Sequence, residues 1–283
     1  MSLWHEQRNG STSSHWDGGT QKPDFNTKRK KKMAEIYQSL SSDPTDVAAL
    51  RHTAISEGGL LTNEIRQKVW PRLLNVNTSD PSPAPGKDLW NPQLHYYQGH
   101  QDIVVTFLLV VGEKLATSLV ENLATHHLRD FMDSTMDSTK HILSYLIPII
   151  DQRNPKLHDI MQSVEVGTIF AISWLFTSFG HILSDFRYVV QLYDFFLACH
   201  PLMSIYFAAM IVLYCEQEVL DCDCDMAWVH HPLSQIPQNL PYETPISRAG
   251  DLFVQFPPSD LTRDAAAKLR EWQPLPSKTL RWY

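Results

Sequence analysis

The stretch from Phe195 to Cys215 carries no charged residue and is about as long as a bilayer span of ~20 residues. A run of this kind either crosses a membrane or fills the middle of a large helical core. Three features favour the core. Pro201 follows His200 and breaks the run near its start. Acidic residues flank it, Asp194 before and Glu216, Glu218 and Asp221 after. No Lys or Arg stands near enough to act as a cytoplasmic anchor. Val166 to Ser184 is similar but studded with Ser, Thr, Gly and His181, and reads the same way. A core helix without a polar face needs many other helices around it. The 283 residues are 43% hydrophobic and 11% aromatic, which supplies them and excludes a wholly disordered chain.

The rest of the chain reads as that set of helices. A helix is predicted over 33–40. Ser41-Ser42-Asp43-Pro44 stops it and starts a second, over 45–56, with Asp43 as cap and Pro44 in the first turn. Gly58-Gly59 ends that one. Thr62 opens another, in which Ile65, Val69 and Leu73 recur at helical spacing. The loop D-P-S-P-A-P-G then forbids regular structure. Further helices are predicted over 102–122, 138–152, 155–163, 167–180, 185–199 and 202–219, with Ser184 capping the fifth and Asn154-Pro155 starting the third. A short helix near 247–253 follows, and the tail ends frayed. Alternating strands, hairpin dipeptides and internal repeats are lacking, so the expected class is all-α and globular.

Charge and cysteine usage narrow the function. Lys+Arg total 24 against 31 Asp+Glu, a net −7, which argues against a nucleic-acid partner. Four cysteines read as reduced thiols. Met1 to Asp24 has no apolar segment, hence no signal peptide, and reads as disordered. Lys28 to Lys32 (KRKKK) is open to a nuclear address or a membrane-surface patch. A solvated lead-in to the helix at Met33 is the simpler reading. Asp221-Cys-Asp-Cys-Asp225 fails as a calcium loop, because Met226 and Pro232 stand where glycine and a bidentate acid belong. Zinc on Cys222, Cys224, His230 and His231 lacks the usual spacing, and His126-His127 lacks the H-E-x-x-H context. No metal site is therefore expected. Neither a nucleophile elbow nor a phosphate loop is present.

One polar segment stands apart: Leu94-His95-Tyr96-Tyr97-Gln98-Gly99-His100-Gln101-Asp102, just before an apolar helix. A glutamine beside glycine at such a junction is permitted by the backbone and exposed. Glutamine is neither base nor nucleophile, but it donates and accepts at once and so can orient a water. GTP hydrolysis depends on such positioning. By residue type alone, an ordinary polar turn is the commoner reading.

The order of motifs resembles the TBC-domain Rab GTPase-activating proteins. Arg66, Trp70, Pro71, Leu73 and Leu74 match their R-x-x-x-W-P-x-L-L motif. Tyr96, Gln98 and Gly99 match Y-x-Q-G, and Trp174-Leu175, Phe179 and Leu192 to Phe196 match a later core signature. The likeness runs from about residue 16 to residue 260 with one internal gap. It implies that Gln98 enters a Rab's nucleotide site as a glutamine finger, with Gly99 admitting the backbone, Tyr96 holding the loop and Asp102 bracing it or simply opening the helix. Arg66, Trp70, Trp174 and Asp194 map to structural positions. GTP and Mg2+ belong to the Rab, and the chain has no cofactor of its own. The likeness is to a member at the endoplasmic reticulum that acts in early secretory traffic and ends in a membrane-anchoring helix. This chain stops at Tyr283 without one, so a cytosolic or peripheral location is expected.

The departure from the family pattern is large. The family carries I-x-x-D-x-x-R before its glutamine motif, and that arginine neutralises transition-state charge. Here the interval from Asn75 to Asn91 contains no arginine, only Lys87. Ile182 to Arg187 is one residue short and follows Gln98, and Arg263 has Pro257 where isoleucine belongs, so neither supplies the finger. The junction Lys87 to Asn91 looks like an internal skip. The expected organisation is a disordered basic segment over 1–32, a shortened TBC domain over 33–260 and a divergent tail over 261–283. Loss of the skipped helices should bare apolar surface on their neighbours. It should also leave little activity or only Rab binding, because an arginine finger is worth about 10³–10⁵ in rate.

Overall fold

The computed structural model describes residues 22–77, 94–222, 225–237, 240 and 243–261. Among them the chain forms fourteen α-helices and two 3-10 turns, and no strand. The centre is α11 (Met203–Tyr214), buried on every side: Ile205, Phe207, Ala208, Ala209, Ile211 and Val212 expose nothing. α7 (Leu146–Arg153), α9 (Ile172–Phe176), α12 (Glu216–Leu220) and α14 (Glu243–Gln255) close around it. Tyr206 on α11 donates to the Phe256 carbonyl just past α14, at 2.6 Å. The uncharged stretch is thus a core helix. No helix among the described residues is long and apolar enough to cross a membrane.

A second set of helices builds the face of interest. α10 (Phe186–Ala198) packs on α2 (Val47–Ile55) and α3 (Asn63–Leu73), α3 packs on α4 (His100–Val111), and α4 on α5 (Glu113–His126). Arg51 ties two helix ends together, donating to Ala198 O at 2.7 Å and Leu73 O at 3.1 Å. A cation at two carbonyl-rich C-termini is stabilising.

Several boundaries differ from expectation. α1 spans Lys22–Ser41, so residues 22–32 are helical, not disordered, and the basic run lies inside the helix. Residues 1–21 lie outside the described set. Met33, Ile36 and Leu40 supply the apolar face that holds α1. Asp46, not Asp43, caps α2 through the Ala49 N–H, and Asp185, not Ser184, caps α10 through the Arg187 N–H. The helix expected over 102–122 is α4 and α5, divided at Gly112 with φ 79°. The one over 138–152 is α6 (Asp137–Ser144) and α7, and that over 202–219 is α11 and α12. The helix over 167–180 shrinks to the 3-10 turn Ile169–Ala171 and α9. α8 (Pro155–Ser163) opens on Asn154-Pro155 as read, and α13 (Met226–Ser234) is capped by Asp225. The Pro-rich loop and the tail beyond 261 lie outside the described residues.

Candidate functional site

Thr62 caps α3, its hydroxyl accepting from the Ile65 N–H at 3.4 Å. That start places Arg66 and Trp70 four residues apart on one face, against α10 and the fully buried Asp194. Arg66 Nη2 donates to Asp194 Oδ2 at 2.8 Å and Nε to both carboxylate oxygens at 3.0 and 3.1 Å. Trp70 Nε1 reaches Oδ1 at 2.8 Å and the Leu60 N–H reaches Oδ2 at 2.9 Å. Asn63 accepts from Arg66 Nη1 at 3.1 Å. Gly59 makes the tight turn beneath: its φ is 55°, and a Cβ there would lie 2.6 Å from Asp194 Oδ2. Burial pushes the Asp194 carboxyl up, and Arg66, Leu60 and Trp70 pull against that shift. The node also orients α4, because the Trp70 ring packs 5.1 Å from Phe107.

α4 carries the glutamine loop at its N-terminus. The His95 N–H donates to Met132 O at 2.7 Å, which fixes the entry. Tyr97 is buried and packs on Phe176 of α9 at 4.8 Å, on His100 at 5.5 Å and on Phe131 at 6.3 Å. Gly99 is buried with φ 107°, and a Cβ would meet Thr177 Cγ2 at 3.1 Å. Gln98, between these two buried residues, is exposed.

The supporting residues divide differently from expectation. Tyr96 is 70% exposed and does not anchor the loop by burial. Its hydroxyl donates to Gln101 Oε1 at 2.7 Å, and the same oxygen accepts the Gly99 N–H at 3.1 Å. Gln101 is therefore the brace. Asp102 opens α4 and turns to His181, 3.7 Å away. Trp174 is structural, buried between Phe170 and Phe179. Sequence reasoning missed Tyr97, Gln101 and Phe176. Nothing in the Tyr96-Tyr97 pair says which ring turns inward until Phe131 and Phe176 are placed.

The outer face of α4 is bare: Val105, Leu108 and Leu109 are 49%, 40% and 64% exposed. Behind the loop a small cavity of about 40 Å³ lies against Phe131, Leu175 and His127. Burial, with His126, Arg51 and His200 nearby, pushes the His127 imidazole down to about 4. Arg187 folds onto Asp185 at 2.6 Å, and Arg263 lies outside the described residues.

A profile of the Rab-GTPase-TBC domain matches residues 88–220, beginning at the junction that looks like a skip. The chain is 67% identical over 314 positions to TBC1 domain family member 20 of Homo sapiens, spanning 95% of this chain and 78% of that protein. The counterpart from Bos taurus is 66% identical over the same spans. GTPase-activating protein gyp10 of Schizosaccharomyces pombe is 35% identical over 152 residues, 53% of this chain and 41% of that one. The alignment to the human protein runs over more positions than this chain's 283 residues, so it passes over positions that this chain lacks.

Proposed function

Because the chain belongs to the TBC family of Rab GTPase-activating proteins, we propose that it engages a Rab of early secretory, endoplasmic-reticulum-to-Golgi traffic and presents Gln98 to the bound nucleotide. The carrying observation is the exposed Gln98 held between buried Tyr97 and positive-φ Gly99. Its amide both donates and accepts, which suits it to orient the attacking water. GTP and Mg2+ come with the Rab, and the chain contributes side chains only.

Stimulation is weak in this reading, because no arginine stands between Asn75 and Gln98 to neutralise the transferring phosphoryl group. That same observation favours a second reading, a helical Rab-binding protein without catalysis. Single-turnover hydrolysis with the chain in excess over a GTP-loaded early secretory Rab separates the two. The expected result is acceleration about 10³-fold or more below that of a TBC domain with both fingers, abolished by Gln98→Ala. Binding without acceleration selects the second reading. Acceleration equal to a two-finger domain sinks the weak-stimulation reading, and acceleration indifferent to Gln98→Ala sinks the glutamine assignment.

A further inference from the structure

The basic run sits on an ordered helix, and that changes what it can do. Lys28, Arg29, Lys30 and Lys31 are exposed turns of α1, upstream of the face that packs through Met33, Ile36 and Leu40. Lys32 fixes the run in place: its ammonium donates to Glu57 O at 2.6 Å and Ser56 O at 3.2 Å, at the C-terminal end of α2. Burial lowers the Lys32 pKa, while Asp194, Glu243, Glu57 and Glu35 oppose the shift. Lys31 has Glu35 at 3.9 Å, with both side chains largely in solvent, so that pair screens little.

Such an arrangement is unfavourable in isolation. Like charges three and four residues apart on a helix repel, as at Lys28–Lys31, Arg29–Lys32 and Lys28–Lys32. The run contributes +5 to a chain whose net charge is −7, so the remainder carries −12. Five of the 24 Lys and Arg side chains thus stand in one stretch of one helix, while the rest of the chain is net acidic. Charge of this distribution orients a protein before contact.

We propose that the exposed cations of α1 dock this protein on an anionic lipid bilayer. Clusters of four to eight basic residues on a helix suit the headgroup surface of acidic lipids. A bilayer is a plane, so the N-terminal half of α1, which carries Lys28 to Lys31, can lie against it while the acidic remainder stays in solution. A nucleic acid favours a basic face or stripe along its backbone, and would draw the acidic surface toward its phosphates. The docking is independent of the glutamine loop, and it goes beyond the Rab reading by giving the chain a membrane contact of its own.

Sedimentation of the full chain with vesicles tests it. Vesicles of phosphatidylcholine alone are compared with vesicles in which about a third of the lipid is phosphatidylserine. The chain is expected to sediment with the acidic vesicles only, and less so as salt rises from about 0.05 to about 0.2 M. Arg29→Glu with Lys30→Glu should cut the bound fraction about tenfold or more, and Arg29→Gln with Lys30→Gln should fall between. Circular dichroism and Tm equal to the parent's show that the variants fold. Equal retention on neutral vesicles overturns the proposal, as does retention unchanged by the charge reversal. Tighter binding to a duplex DNA or RNA oligonucleotide than to the acidic vesicles overturns it in favour of nucleic acid.

Discussion

The Arg66–Asp194 node, which packs on α4 through Trp70, and the glutamine loop at the start of α4 are finished to different degrees. At the Arg66–Asp194 node the Arg66 guanidinium, the Trp70 indole and the Leu60 N–H all find acceptors, on Asp194 of α10 and Asn63 of α3. Around the glutamine loop the reverse holds. Tyr97 Oη, His100 Nδ1, His127 Nδ1 and Trp174 Nε1 are buried without a hydrogen-bond partner in the described structure. On the other side of the loop, α4 turns Val105, Leu108 and Leu109 outward. Buried polar groups in native proteins are nearly always satisfied. Among the described residues the polar groups of the node are paired, whereas several around the loop are not.

The largest test of that contrast is at the node. Asp194→Ala leaves the Arg66 guanidinium buried without its carboxylate, and urea unfolding should report a loss of about 3–5 kcal/mol. Adding Arg66→Met should return part of it, since removing both charges is less costly than removing one. If the double variant is no better than the single, the node has a role beyond its own pairing.

The second test uses pH on the loose side. His127 is held near 4 in the fold and has an ordinary value near 6.5 when unfolded. The unfolded chain therefore binds the proton first. His127 costs nothing above pH about 6.5, and stability falls between there and pH about 4, by on the order of 3 kcal/mol. Tm followed against pH should show this slope, and His127→Leu should flatten it. A slope unchanged in the variant assigns the acid sensitivity to other groups.

The smallest effect is expected at the brace. Gln101→Ala removes one acceptor from an exposed turn and should cost about 1 kcal/mol or less. Amide exchange at Gly99 should still quicken severalfold, because that N–H loses the Gln101 acceptor while Tyr97 stays packed. No change at Gly99 would mean that burial of Tyr97 alone shapes the loop.

Much of this was legible in the chain, for identifiable reasons. Thr62 and Asn154-Pro155 announced their helices because a cap acts locally. The uncharged stretch announced a core helix because no other soluble arrangement accommodates it. Gly112 was lost inside a longer helix because both flanks are strong helix formers and one glycine is a weak signal. The start of α1 is not legible in the sequence, because five like charges argue against a helix and the carbonyls of Ser56 and Glu57 that receive Lys32 are distant in sequence. Gln98 came from a motif, but Gln101 could not. A polar residue in a polar turn has no period, and its bonds to Tyr96 and Gly99 exist only once the turn has closed.

α11 has a consequence for how the chain is made. Its surface is almost wholly apolar, and it is covered on one side by α14, which the ribosome delivers about thirty residues later. Until α14 emerges, α11 is a greasy rod without its cover. Twelve residues are too few to span a bilayer of ~30 Å, so the helix must wait for its protein cover. A chain cut before Glu243 keeps the glutamine loop intact and leaves that rod uncovered, a message for quality control to read long before any Rab is met.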